Sequence, residues 1–371
     1  MSDQRMQSST SGSRVLVFQI GSIGDTVVSI PALKAVRRHF GPQSRIVVLH
    51  DLNPRITVTP RDILAGSSLV DDFIGYPFYS GFVGRLATFL RLVRRIRKLS
   101  FDAAVCLTPS NRPASSLVRD SFIFRLFGIR KLVGFRALCP MRARLAVKRP
   151  DFGKHEALLR LERIETDGVD VSLEKDLSKP FLNLPEAAVA EAEAWLSGNR
   201  SRTETEMVAI FPGCKQPANS WPIERFVEIG RRLASLGKFE LVVGGGPADR
   251  DAGDFMVKAW GEGINAAGKL SVLGSAALIA RCRFLIGLDT GTTHLAGAMG
   301  VPCVAIFGGR NPDGQWYPLG TGHTILISDV QCARCGLPVC PLPDHPCMTG
   351  TSVERVWEAV AGIAGRERAA G

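Results

Sequence analysis

The stretch FLIGLDTGTTHLAGAMGVPCVAIFG, residues 284–308, constrains the fold more than any other part of the chain. An apolar run of strand length ends in Asp289-Thr290-Gly291, helical spacing follows, and a second apolar run closes the stretch. Strands that read as continuous apolar runs are buried on both faces, and two strands joined through a helix lie parallel. The pattern therefore asks for a parallel sheet covered by helices. It also places a hydroxyl and a glycine, Thr290 and Gly291, where a strand hands over to a helix. The first N–H groups of a helix have no partner within it and form an anion site.

The same unit recurs on either side. RVLVFQI (14–20) is a strand, a glycine loop with Asp25 follows, and Val28, Ala32, Leu33 and Val36 then fall at helical spacing before the strand RIVVLH (45–50). FDAAVCLTP (101–109) and KLVGF (131–135) extend that sheet, with a helix in SSLVRDSFIFRLFG between them. A second set runs through MVAIFPG (207–213), PIERFVEIGRRLASLG (222–237), FELVVGG (239–245) and the opening stretch, and SVERVWEAVAGIAG (352–365) closes it as a helix. Alternation of this kind predicts an α/β protein. A chain of 371 residues exceeds what one core comfortably fills. The expected organisation is a loose tail (1–13), an N-terminal Rossmann-like domain (14–195), a polar linker (196–206), a C-terminal Rossmann-like domain (207–350), and a closing helix and tail (351–371). In such sheets ligands sit outside the carboxyl ends of the strands, so a cleft between two facing sheets is the expected site.

Charge locates a second feature. The net charge is +11, yet residues 81–150 alone hold sixteen Lys or Arg against two Asp, so the rest of the chain is slightly acidic. A concentration of this kind implies an anionic partner for the N-terminal half. Within it, RLATFLRLVRRIRKL (85–99) sets Leu86, Phe89, Leu90, Val93 and Ile96 on one helical face, with Arg91, Arg94, Arg95 and Lys98 largely elsewhere. That pattern suits a helix packed on the sheet with its charges in water, and equally a basic side docked on anionic lipid or a phosphorylated acceptor.

The sequence holds no run of eighteen apolar residues and no signal-peptide pattern in MSDQRMQSSTSGS, so a cytoplasmic protein is expected. Four of nine cysteines crowd the tail as Cys332, Cys335, Cys340 and Cys347. Three readings stand for them: structural metal, reduced packing residues in a Pro-rich loop, or redox pairing.

Several loops carry candidate chemistry. In Gly21-Ser22-Ile23-Gly24-Asp25-Thr26, Asp25 is either a helix cap or a general base presented at a strand end, with Gly24 and Thr26 as binding residues beside it. The loop lacks the full GxGxxG of a dinucleotide site. GGGPADR (244–250) brings Gly245 and Asp249 after a strand, and glycines there allow close backbone approach. Gly213, Cys214 and Lys215 form a third strand-end loop. Asp289 anchors its loop or holds a hydroxyl-bearing ligand, and His294, one turn into the helix, either packs or meets a phosphate or sugar hydroxyl. No HExxH, serine elbow, Walker-type loop or acid cluster for a catalytic metal is present. No metal and no resident cofactor are expected.

Four stretches together resemble the lipopolysaccharide heptosyltransferases of glycosyltransferase family 9. They are VFQIGSIGDTVVSIPALKAVRRHFG, AIFPGCKQPANSWPIERFVEIGRRL, LVVGGGPADR and LIGLDTGTTHLAGAMGVPCVAIFG, and their order spans about residues 14–360. The resemblance implies a GT-B fold, with an acceptor-binding N-terminal domain (14–195) and a nucleotide-sugar-binding C-terminal domain (207–350). It also implies metal-independent, inverting transfer from ADP-heptose to an anionic lipopolysaccharide core acceptor, with peripheral contact at the cytoplasmic face of the inner membrane. It makes Asp25 the base, puts the diphosphate at Thr290 and Gly291, sets Asp289 near the heptose hydroxyls, and brings His294 close to the donor. Asp249 stands near an acid that meets ribose or sugar in the family. One departure is plain: where many members have Lys or Arg before the Trp-Pro pair, this chain has Asn219 and Ser220, with Lys215 earlier in the loop. The partners expected are a nucleotide-sugar donor and an anionic glycolipid or glycan, no nucleic acid, and at most weak self-association. The same chemistry with another nucleotide sugar or surface glycan is the alternative. An NAD-dependent oxidoreductase, a nucleic-acid-binding protein and a member without catalysis are remoter.

Overall fold

The structure, a computed structural model, describes residues 12–53, 58–77, 82–136, 154–177 and 181–365. The tail expected at 1–13 lies outside these residues up to position 11, as do 137–150 of the basic window and 366–371 of the C-terminal tail. The chain divides into two compact units, Met1–Ala146 with Ala157–Leu177, and Val147–Glu156 with Ser178–Gly371.

The first unit is built on β1 (Arg14–Phe18), β2 (Arg45–Leu52), β3 (Asp72–Pro77), β4 (Ala103–Cys106) and β5 (Lys131–Val133), in the spatial order β3-β2-β1-β4-β5. All four pairings are parallel. Val15, Leu16 and Val17 are wholly buried, which is why β1 reads as an unbroken apolar run. Removing one such side chain from water stabilises by roughly 1.5–3 kcal/mol. One face of the sheet is covered by helices Phe82–Leu99 and Ala114–Leu126, whose Ile96, Leu117 and Phe124 share a core with Leu16, Phe18 and Val47.

The second unit holds β6 (Glu206–Phe211), β7 (Phe239–Val243), β8 (Ile264–Asn265), β9 (Cys282–Leu288), β10 (Cys303–Phe307) and β11 (Thr324–Ile327), in the order β11-β10-β9-β6-β7-β8. It is also wholly parallel. Counted from its own first strand this is 3-2-1-4-5-6, the doubly wound order of nucleotide-binding sheets. Each unit therefore has one topological switch point, between β1 and β4 in the first and between β6 and β9 in the second. At that point neighbouring strands lead to crossovers on opposite faces, and a crevice opens at their carboxyl ends.

The stretch 196–206 differs from the linker expected of it. Helix Glu186–Asn199 runs through its beginning, and Glu191 on that helix accepts the Ser271 N–H at 2.7 Å. Beyond the helix, Arg200 Nε meets Glu240 at 2.9 Å and Arg202 donates to the Phe239 carbonyl at 3.3 Å. Glu240 is buried, so its charge requires this arginine. The polar composition serves ion pairing inside the second unit rather than a free connection.

Candidate functional site

In the first unit the loop after β1 turns sharply into the short helix Ile23–Val27. Gly21 has φ +116°, and a Cβ there would lie 2.3 Å from the Asp25 carboxylate. Only glycine satisfies both conditions. Asp25 Oδ2 accepts the Ser22 N–H at 2.9 Å, closing a capping box at the helix start. Its other oxygen, Oδ1, stands 3.5 Å from the guanidinium of Arg160, a side chain with no exposed surface. Arg160 also donates to the Asp25 carbonyl at 2.7 Å, and Gln19 Nε2 donates to the same oxygen at 3.1 Å. The carboxylate, 19% exposed, is thus held by Ser22 on one oxygen and faced by Arg160 on the other, while Arg160 and Gln19 fix the backbone behind it. Gly24 and Thr26 are both buried, and the Thr26 hydroxyl donates to the Ser22 carbonyl at 3.1 Å, so these two shape the turn.

In the second unit, β9 ends at Leu288 and leads into Asp289, Thr290 is the N-cap of helix Gly291–Ala298, and the turn lies beside the switch point. The amides that open this helix have no intrahelical acceptor and sit at its positive end. The Thr290 N–H, expected to meet a diphosphate, instead donates to the Leu288 carbonyl at 2.7 Å, which leaves that part to Gly291 and the amides after it. The turn is held firmly. Thr293 Oγ1 donates to the Thr290 carbonyl at 2.8 Å, Asn219 Nδ2 to the Asp289 carbonyl at 2.8 Å, and Asn311 Nδ2 to Asp289 Oδ2 at 2.9 Å. Burial pushes the Asp289 carboxyl up to about 6, against the opposing pull of the Asn311 hydrogen bond and the Arg310 charge. Thr290 Oγ1 pairs with Thr292 Oγ1 at 2.8 Å. His294 is buried, its ring edge-on to Trp316 with centroids 6.2 Å apart.

Two further loops meet there. A Cβ on Gly213 would fall 2.2 Å from Asp249 Oδ1, and one on Gly245 (φ +155°) 2.4 Å from Oδ2. The loops after β6 and β7 are therefore pressed against one carboxylate, which also accepts the Gly246 N–H at 2.7 Å. Burial pushes the Cys214 thiol up, a hydrogen bond with Ser220 opposes this, and the Asp249 and Asp289 carboxylates add to the rise. Lys215 is exposed on the same loop. Gly213, Cys214, Gly245, Asp249 and Asp289 are thus gathered at one end of the second sheet.

Sequence reasoning missed Gln19, Arg160, Arg310 and Asn311, and treated Asn219 only as a departure from pattern. Arg160 lies 135 residues from Asp25, so no local spacing announces it. Asn311 carried a signal that could have found it: it follows β10 in GGRNPDG, another strand-end loop at the same edge. Asn219 Oδ1 is buried with no hydrogen-bond partner among the described residues, an acceptor left open beside the Asp289 turn.

The tail cysteines Cys332, Cys335, Cys340 and Cys347 are free thiols. Burial pushes Cys347 up, and the other three, close by, add to that rise. Among the described residues, no group of three or more His, Cys, Asp or Glu is arranged to hold a metal ion.

Two parallel Rossmann-like units, each with a glycine-bearing turn at its switch point, define the GT-B class. Within that class the family is shown directly. The model for glycosyltransferase family 9 (heptosyltransferase) matches residues 89–344, and the chain belongs to that family. The lipopolysaccharide heptosyltransferase 2 of Salmonella typhimurium is 31% identical over 149 residues, 38% of this chain and 42% of that protein. The lipopolysaccharide heptosyltransferase 1 of Pseudomonas aeruginosa is 24% identical over 250 residues, 66% of this chain and 64% of that protein. These matches thus span less than two thirds of either relative's length. Among solved structures, a glycosyl transferase family 9 protein from Veillonella parvula shares the fold with a TM-score of 0.70 at 22% identity, over 95% of this chain and 97% of that one. The E. coli ADP-heptose LPS heptosyltransferase II does so with a TM-score of 0.67 at 19% identity, over 94% and 98%.

Proposed function

We propose that the protein is an inverting glycosyltransferase that moves heptose from ADP-heptose to an anionic lipopolysaccharide core acceptor. The observation that carries the reading is the Asp289-Thr290-Gly291 turn: a helix start at a switch point, its carbonyl and carboxylate each held by an asparagine side chain. Family membership and the names of the relatives support heptose as the sugar.

The chemistry follows from the charges that form. An acceptor hydroxyl attacks the anomeric carbon from the face opposite the leaving group, and its proton passes to the Asp25 carboxylate. The bond from the anomeric carbon to the phosphate oxygen breaks, and ADP departs with the electron pair. Negative charge grows on the diphosphate as that bond lengthens. The Gly291 amide and those that follow it at the helix start, fixed beforehand, therefore bind the transition state better than the ground state, while the Thr290 N–H is already taken by the Leu288 carbonyl. Lys215 adds a cation to the leaving phosphate. Gly213 and Gly245 let backbone approach the nucleotide, Asp249 accepts from ribose or sugar hydroxyls, and Asp289 takes heptose hydroxyls with His294 behind it. Arg160 and Ser22 keep Asp25 in one orientation, which a base needs if proton transfer is to accompany attack.

The test is a transfer assay with ADP-heptose and a truncated core acceptor, comparing wild type with Asp25→Asn. Asparagine keeps the shape and cannot take the proton, so turnover should fall by about a hundredfold or more. Affinity for ADP should stay unchanged by calorimetry. Turnover near that of wild type would remove Asp25 as the base.

A further inference from the structure

We propose that helices Phe82–Leu99 and Ala114–Leu126 form a docking face for an anionic lipid bilayer. The two helices lie side by side on one face of the first sheet: Arg97 Nε donates to the Leu126 carbonyl at 2.9 Å, and the Phe89 and Phe127 rings stand 6.2 Å apart. Helix Ala114–Leu126 buries Leu117 and Phe124 in the core. Its outward side should then be polar, as for a surface helix facing water. Instead it presents Val118, Phe122 and Leu126, spaced by four residues, with Val118 68% and Phe122 62% exposed. Leu86 and Leu90, four apart on the neighbouring helix, are each 48% exposed. Two adjacent helices thus leave five large apolar side chains exposed, where single scattered ones are the rule on a surface without a partner.

The charges around the patch say which partner. Helix Phe82–Leu99 contains five arginines, one lysine and no acid, and Arg91, Arg94, Arg95 and Lys98 are exposed. Arg125 is exposed on the second helix. The one acid of the pair, Asp120, is buried and gripped by Arg112 at 2.5 Å and Arg119 at 2.8 Å, so it offsets none of these charges. A bilayer with anionic headgroups satisfies both components at once. Apolar side chains enter the boundary between headgroups and acyl chains, while arginines extend along their stems to the phosphates. A soluble phosphorylated glycan meets the arginines but leaves Val118 and Phe122 in water. A second copy of the chain would cover the apolar side chains and oppose like charges. The surface thus goes beyond the transfer reaction, and its assay needs neither donor nor acceptor.

Vesicle sedimentation with the full chain tests it, using phosphatidylcholine alone and phosphatidylcholine with one third phosphatidylglycerol. The protein should sediment with the anionic vesicles only, and salt at about 0.5 M should release it, since exposed charges are then screened within a few Å. The double variant Val118→Ser, Phe122→Ser should bind about tenfold more weakly, from the apolar surface no longer taken out of water. Arg94→Ser and Arg95→Ser should each cost about fivefold. Leu86→Gln with Leu90→Gln provides a second apolar test, and unchanged circular dichroism and ADP affinity certify that each variant is folded. Absence of binding to anionic vesicles would overturn the proposal. So would equal vesicle binding by both apolar variants, the result expected of a purely electrostatic glycan surface. A wild-type dimer made monomeric by Phe122→Ser would assign the face to self-association instead.

Discussion

Asp289 shows how a single buried carboxyl can tie stability to pH. Its ordinary value is 3.8, and burial in the folded protein pushes it to about 6. Between those values the folded protein keeps a proton that the unfolded chain has lost. The contribution therefore favours the fold at the acid end, declines as pH rises from about 4 to about 6, and is constant above. The slope is at most about 1.4 kcal/mol per pH unit for one group. Asp289→Asn should abolish it, so melting curves from pH 4 to 7 should show wild type losing stability relative to the variant over that window. Parallel curves would mean that Asp289 does not titrate there. That Asp289 follows directly on a strand was legible in the sequence, because the apolar run before it and the helical spacing after it are local. Its partners Asn219 and Asn311 were not legible as such. They come from loops 70 and 22 residues away and acquire meaning only when β6, β9 and β10 are laid side by side.

At the scale of elements, glycine turns do the positioning, and the fold was read most reliably where strands are fully buried. Largely apolar runs, broken inside only by Glu240 in β7 and Arg283 in β9, marked β1, β6, β7, β9 and β10 in the sequence. The strands that escaped notice lie at sheet edges: β3 with its half-buried DFIGYP, the two-residue β8, and the four-residue β11. An edge strand faces water along one side and needs no continuous apolar run, so its signal fades into that of a loop. Among the turns, Gly245 combines φ +155° with contact against Asp249. Gly245→Ala should strain the backbone and displace that carboxylate, lowering stability by about 1–3 kcal/mol. Since the same carboxylate faces Gly213, ADP affinity should drop with it. Denaturant unfolding and calorimetry on one preparation check both effects. A variant as stable as wild type that binds ADP equally well would show that neither the strain nor the contact matters.

For the whole molecule, the α/β class and the pairing of two Rossmann-like units were legible from the repeat of strand, glycine loop and helix. The bounds of the units were less so, because helix Glu186–Asn199 joins the second unit through distant contacts such as Glu191 with Ser271. Among the described residues no helix is long and apolar enough to cross a membrane. The central claim is that the second unit receives an adenine nucleotide diphosphate carrying heptose. Calorimetric titration of the full chain with ADP, UDP, GDP and NAD, without added metal, tests it most directly. The account predicts that ADP binds with clear preference over the other three, and that Asp25→Asn leaves this affinity unchanged. Preference for UDP, GDP or NAD, or no binding of any of the four, would contradict it.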